Sequence, residues 1–153
     1  MASLPRKATA SDQTEGFEGM SQDELDAVRL TVPFQAPSAS LVRSELKQWL
    51  SEKGYQGESV DDARVVVSEL VGNSVRHAHP LPVDQLEVSW TVEGSDLVIS
   101  VTDGGSGTTP HPISAADNAV SGRGLSIVEA LVESWWVDDG GPSTTVHVRI
   151  PLG

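Results

Sequence analysis

The chain has 153 residues, 38% of them apolar, with 22 acidic against 10 basic residues and a formal charge of −12. That length suits one ordinary domain with a core of its own, and that charge argues against nucleic-acid backbones and anionic membranes as partners. The absence of cysteine excludes disulfides and cysteine-held metals; no apolar stretch reaches membrane-spanning length and the N-terminus lacks a signal-type apolar region, so the expected location is cytoplasmic.

Residues 1–28 are polar, acidic and without apolar periodicity, which predicts a disordered tail ahead of one domain over 29–153. The alternating Leu30-Thr31-Val32-Pro33-Phe34 predicts a first strand with an edge proline. Pro37 and Ser38 open a helix with Val42, Leu46, Trp49 and Leu50 on one side, ended near Gly54. Ser59 followed by Asp62 fits a capping pattern for a second helix, which runs to about Ala78 and is stopped by Pro80. Its apolar stripe is Ala63, Val66, Val67, Leu70, Val71, Ser74 and Ala78.

The period then changes to two. Leu86, Val88, Trp90 and Val92 alternate with polar residues, the turn Glu93-Gly94-Ser95-Asp96 follows, and Leu97-Val98-Ile99-Ser100-Val101-Thr102-Asp103 completes a hairpin. Thr108–Ser121 holds two prolines and little pattern, which predicts a mobile loop. A helix over Leu125–Val132 and strands over Ser134–Val137 and Thr145–Ile150 complete the chain, with Trp135 and Trp136 expected in the core and His147 on an outward strand face. Hairpin-joined strands with grouped helices predict an α+β two-layer sandwich: a mixed, mostly antiparallel sheet with helices on one face.

Three motifs carry chemistry. Asp103 ends the inward row Leu97, Ile99, Val101, and a carboxylate aimed at a core needs a donor partner. Gly104, Gly105 and Gly107 follow it and let backbone turn sharply and approach a flat ligand. Glu69, Asn73 and His77 lie four apart on one flank of the second helix. They read either as surface polarity on an amphipathic helix or as a cleft wall, where Glu69 can take a proton and Asn73 can offer oxygen to a hard cation. Gly122-Arg123-Gly124-Leu125 opens the last helix, where free N–H groups attract phosphate.

Taken together, these motifs resemble those of the GHKL superfamily of ATPases and kinases. Glu69–Ala78 looks like its N box, Asp103-Gly104-Gly105-Ser106-Gly107 like its G1 box and Gly122–Val128 like its G2 box. The resemblance extends over residues 30–151 and favours the histidine kinase-like fold of the stand-alone anti-sigma serine/threonine kinases. It implies ATP and Mg²⁺ as cofactors. Asp103 would accept a hydrogen bond from the adenine amino group, with Gly105 and Gly107 shaping the base pocket. Asn73 would coordinate Mg²⁺, and His77 and Leu125 would fall within the nucleotide-binding boxes. Gly122, Arg123 and Gly124 would hold phosphate, and Glu69 would orient or deprotonate the acceptor hydroxyl. The implied partners are a sigma factor and an anti-anti-sigma protein of the STAS type, with a homodimer by analogy. The region between the G1 and G2 boxes, Thr108–Ser121, has no Lys or Arg, which keeps open a second reading: a non-catalytic nucleotide-binding module that sequesters a regulator.

Overall fold

A computed structural model of the chain describes residues 27–105 and 123–153. The elements, in chain order, are strand β1 (Val28–Pro33), helix α1 (Ser38–Glu52), helix α2 (Glu58–His77), strands β2 (Gln85–Glu93) and β3 (Asp96–Asp103), helix α3 (Arg123–Leu131), and strands β4 (Ser134–Asp138) and β5 (Thr144–Pro151).

The five strands form one sheet in the order β1-β2-β3-β5-β4. Every pairing among them is antiparallel. The sheet therefore lacks the parallel pair that a mixed sheet would contain. The reason is β5: the β3-α3-β4 connection brings β4 back parallel to β3, and β5 inserts between the two. The predicted α+β sandwich otherwise stands.

One face of the sheet is apolar across its width. Val28, Trp90, Ile99, Val148 and Trp135 form one cross-strand row, and Leu30, Val88, Val101, Val146 and Val137 the next. Helix α1 supplies Val42, Leu46 and Leu50 to the core beneath, and α2 supplies Val60, Ala63, Val66, Val67, Leu70 and Val71. These follow the three-and-four spacing that gives a helix one apolar stripe. Helix α2 is central: it packs against α1 and α3 and touches β3 and β5.

Local differences from the sequence pattern have local causes. Strand β1 starts at Val28, two residues early, because Val28 and Leu30 find partners in Trp90 and Val88. Ser59 does not cap α2. Gly57, at φ 92°, occupies the capping position, and the Ser59 hydroxyl donates instead to the Leu152 carbonyl at 3.4 Å. Trp135 packs on the core, but Trp136 is 40% exposed. Neighbours along a strand point to opposite faces, so only one of the two can be buried. Trp136 stacks on His147 on the outer face, with ring centroids 5.1 Å apart. His147, outward as expected, accepts or donates hydrogen bonds with Ser100 at 2.7 Å and Asp138 at 2.8 Å.

The core predicts a contrast within α1. Leu46 is fully buried and Leu41 is 48% exposed. Leu46→Ala is expected to cost about 2–5 kcal/mol of unfolding free energy, and Leu41→Ala about 0.5 kcal/mol or less, both measured by urea titration of tryptophan fluorescence.

Candidate functional site

The site lies where β3 ends. Because β2 and β3 are antiparallel, the end of β3 and the start of β2 share one edge of the sheet. Helix α2 leads into β2 through residues 78–84, so its C-terminus arrives at that edge. Helix α3 finishes at the opposite end of the sheet, where β4 begins and Ser134 pairs with Arg149. Chain connectivity thus brings together the end of β3 and the C-terminus of α2.

Asp103 is the centre of this cluster. It is the last residue of the inward row, paired in register with Thr144, and is 6% exposed. Both carboxylate oxygens have partners. Ser74 on α2 donates its hydroxyl to Oδ2 at 2.6 Å, and the Gly105 backbone N–H donates to Oδ1 at 2.8 Å. The donor that an inward carboxylate requires therefore comes from the chain itself. A carboxylate offers about four acceptor positions, and among the described residues two donors are seen to use them.

A backbone strap holds the same corner. After α2 ends, the His79 N–H donates to the Gly105 carbonyl at 2.9 Å, and the Gly104 N–H donates to the His79 carbonyl at 2.7 Å. The approach is close enough to require glycine: a Cβ on Gly104 would stand 2.3 Å from the Pro80 carbonyl oxygen. Gly105 adopts φ +88°, a left-handed conformation that other residues enter at a cost.

The other predicted residues divide into three groups. Glu69 and Asn73 are half-buried on one flank of α2, and His77 is its exposed last residue. Arg123, Gly124 and Leu125 form the first turn of α3, which packs against α2. Gly107, Gly122 and the Thr108–Ser121 loop lie outside the described residues. Among the described residues no three of His, Cys, Asp and Glu gather as a metal-holding group.

Two residues, Thr144 and Ser74, were not singled out from the sequence. Thr144 borders Gly105, its Oγ1 3.5 Å from where a Cβ would sit. Ser74 was counted only in the apolar stripe of its helix; the signal was its hydroxyl, because a buried polar group needs a partner and Asp103 needed a donor. Gly104 reads from the sequence as a turn glycine that permits close approach, and the group that approaches it is the Pro80 carbonyl across the corner.

A two-layer α+β fold with this corner defines a class, and comparison with known proteins agrees. Residues 32–150 match the family model described as the histidine kinase-like ATPase domain, and the chain belongs to that family. More particularly, it is similar to the serine-protein kinase RsbW of Listeria monocytogenes, at 27% identity over 120 residues, covering 71% of this chain and 76% of that protein. The RsbW of Staphylococcus aureus is 27% identical over 125 residues, covering 73% of this chain and 79% of that one. Among solved structures, the RsbU and RsbW domains of Rv1364c from Mycobacterium tuberculosis superpose with a TM-score of 0.64 at 26% identity. That match covers 82% of this chain, which spans only 32% of the other.

The strap makes a specific demand on Gly104. Gly104→Ala is expected to lower stability by about 1–3 kcal/mol, because the clash is with backbone. Gly140→Ala, where no atom lies within 4 Å, is expected to change it by about 0.5 kcal/mol or less. Thermal melts of the two variants check this.

Proposed function

We propose that the chain is an ATP-dependent protein serine/threonine kinase that phosphorylates an anti-anti-sigma protein of the STAS type and sequesters a sigma factor. The observation that carries this reading is Asp103: a buried carboxylate, oriented by Ser74 and Gly105, at the end of the sheet where helix α2, which carries Glu69 and Asn73, finishes. Family membership supports nucleotide use, and the names of the RsbW relatives support transfer to serine.

The residues suit the cofactors. Asp103 is an acceptor for the amino group of adenine. The amide oxygen of Asn73 is a hard ligand, and Mg²⁺ binds through few protein oxygens together with substrate phosphates. Asn73 also lies toward the C-terminal end of α2, where the helix dipole favours a cation. The first turn of α3, with Arg123 and Gly124, offers N–H groups and the favourable end of a dipole to an anion, and Gly122 would join them by the family resemblance. By the family resemblance Gly105 and Gly107 would shape the base pocket, and His77 and Leu125 would fall within the nucleotide-binding boxes. When bound, Mg²⁺-ATP supplies the transferable phosphoryl group and neutralises charge that develops during transfer.

Glu69 then has one task. Its carboxylate would accept the proton of the serine or threonine hydroxyl as that oxygen bonds to the γ-phosphorus and the bond from that phosphorus to the bridging oxygen breaks, with ADP as the leaving group. Phosphoryl transfer depends mainly on positioning and charge compensation, so a single base on the wall of the site is sufficient. The product carries roughly −1.5 to −2 additional charge and is repelled by a chain of net charge −12. This is a release step for partner exchange.

With labelled ATP, Mg²⁺ and a cognate anti-anti-sigma protein, Glu69→Ala is expected to lower phosphate transfer about 100-fold or more while ATP binding stays within about twofold. Asp103→Asn is expected to weaken ATP binding about tenfold or more. If the wild type transfers no label yet captures a sigma factor equally well with and without Glu69, the alternative holds: a non-catalytic, nucleotide-binding sequestering module, the reading favoured by the absence of Lys and Arg from Thr108–Ser121.

A further inference from the structure

We infer that Ser74 is a positioning residue for base recognition, one that holds the Asp103 carboxylate in the plane from which it selects a purine bearing a 6-amino group. The inference rests on the nucleotide reading of the site above and goes beyond it by assigning base selectivity to a residue of the α2 stripe.

Local preferences do not explain the Ser74 hydroxyl. Serine is a poorer helix former than alanine, and a mid-helix serine ordinarily turns its hydroxyl to solvent or to the carbonyl four residues back. Ser74 is 6% exposed and does neither. Its hydroxyl reaches across 29 residues of sequence to Asp103 Oδ2 at 2.6 Å, a short, charge-assisted distance.

The geometry at Asp103 shows what that bond adds. The Gly105 N–H to Oδ1 bond is a local turn contact, two residues away. Alone it leaves the carboxylate plane able to rotate, because the terminal torsion of an aspartate is broad. A second donor, on the other oxygen and from another element, removes that freedom. The unused acceptor positions then have one direction before any ligand arrives, and such preorganisation lowers the cost of binding. An acceptor-only group attracts the 6-amino group of adenine and repels the 6-oxygen of guanine. Its selectivity depends on how firmly it is aimed.

The test is calorimetric, on the full chain. Wild type and Ser74→Ala are titrated with Mg²⁺-ATP and with purine riboside triphosphate, which has the same sugar and phosphates but no 6-amino group. Wild type is expected to favour ATP. Ser74→Ala is expected to lose about tenfold for ATP and less than about twofold for the analogue, so that selectivity collapses while affinity for the shared parts persists. Equal losses for both nucleotides, or unchanged selectivity, overturn the inference, since a merely structural hydroxyl predicts one of those. If Ser74→Ala does not fold, Ser74→Cys, with only a weak donor in the same place, carries the same expectation. Failure of the proposed function is recognisable earlier, in the wild type alone: binding of neither nucleotide sinks the nucleotide reading, and equal binding of both sinks recognition of the 6-amino group and the inference with it.

Discussion

A buried carboxylate is the constraint on which this corner of the molecule depends. Asp103 is brought inward by the same alternation that buries Leu97, Ile99 and Val101, and an ionised carboxylate away from water is costly unless donors meet it. The donors come from two directions, the Ser74 hydroxyl from helix α2 and the Gly105 N–H from the turn. Satisfying one charge therefore ties helix to sheet. The tie operates where the apolar core thins out: beyond Val101 the inward row offers no further hydrophobic residue, and polar contact takes over from packing.

The His79–Pro80 strap strengthens the tie by using backbone alone. Two short hydrogen bonds connect the exit of α2 to Gly104 and Gly105, and the space left over admits only a hydrogen at Gly104. Glycine has two separate uses here. At Gly104 it permits a close approach, and at Gly105 it permits a positive φ. The helix carrying Glu69 and Asn73 is thus held at its C-terminal end against the strand carrying Asp103, so the spacing of these three residues does not depend on side-chain packing alone. Precise positioning of this kind is what phosphoryl transfer requires of a protein.

Much of this was legible in the sequence, because much of it is periodic. The period-two runs of β2 and β3, the turn between them and the inward placement of Asp103 follow from local pattern, as does the four-residue spacing of Glu69, Asn73 and His77. What escaped was set by tertiary partners. Ser74 looked like one small residue of an apolar stripe until Asp103 appeared opposite. Ser59 had the spacing of a cap, but Gly57 provides the turn and the Leu152 carbonyl takes the hydroxyl. The pair Trp135-Trp136 looked uniformly apolar, yet strand geometry divides it between two environments. The antiparallel character of every pairing could not be read either, because it depends on β5 entering between two strands that precede and follow α3 without touching each other.

Strand order also fixes which helix end meets Asp103. Helix α2 finishes where β2 begins, and β2 begins at the end of the sheet where β3 finishes, so the C-terminal end of α2 stands beside the Asp103 carboxylate. Helix α3 packs against α2 and finishes at the opposite end of the sheet, where β4 begins. The C-terminal end of a helix dipole favours a cation and gives no help to a buried carboxylate. The Ser74 hydroxyl and the Gly105 N–H offset that unfavourable pairing, which is why the donors and the backbone strap converge on this one corner of the sheet.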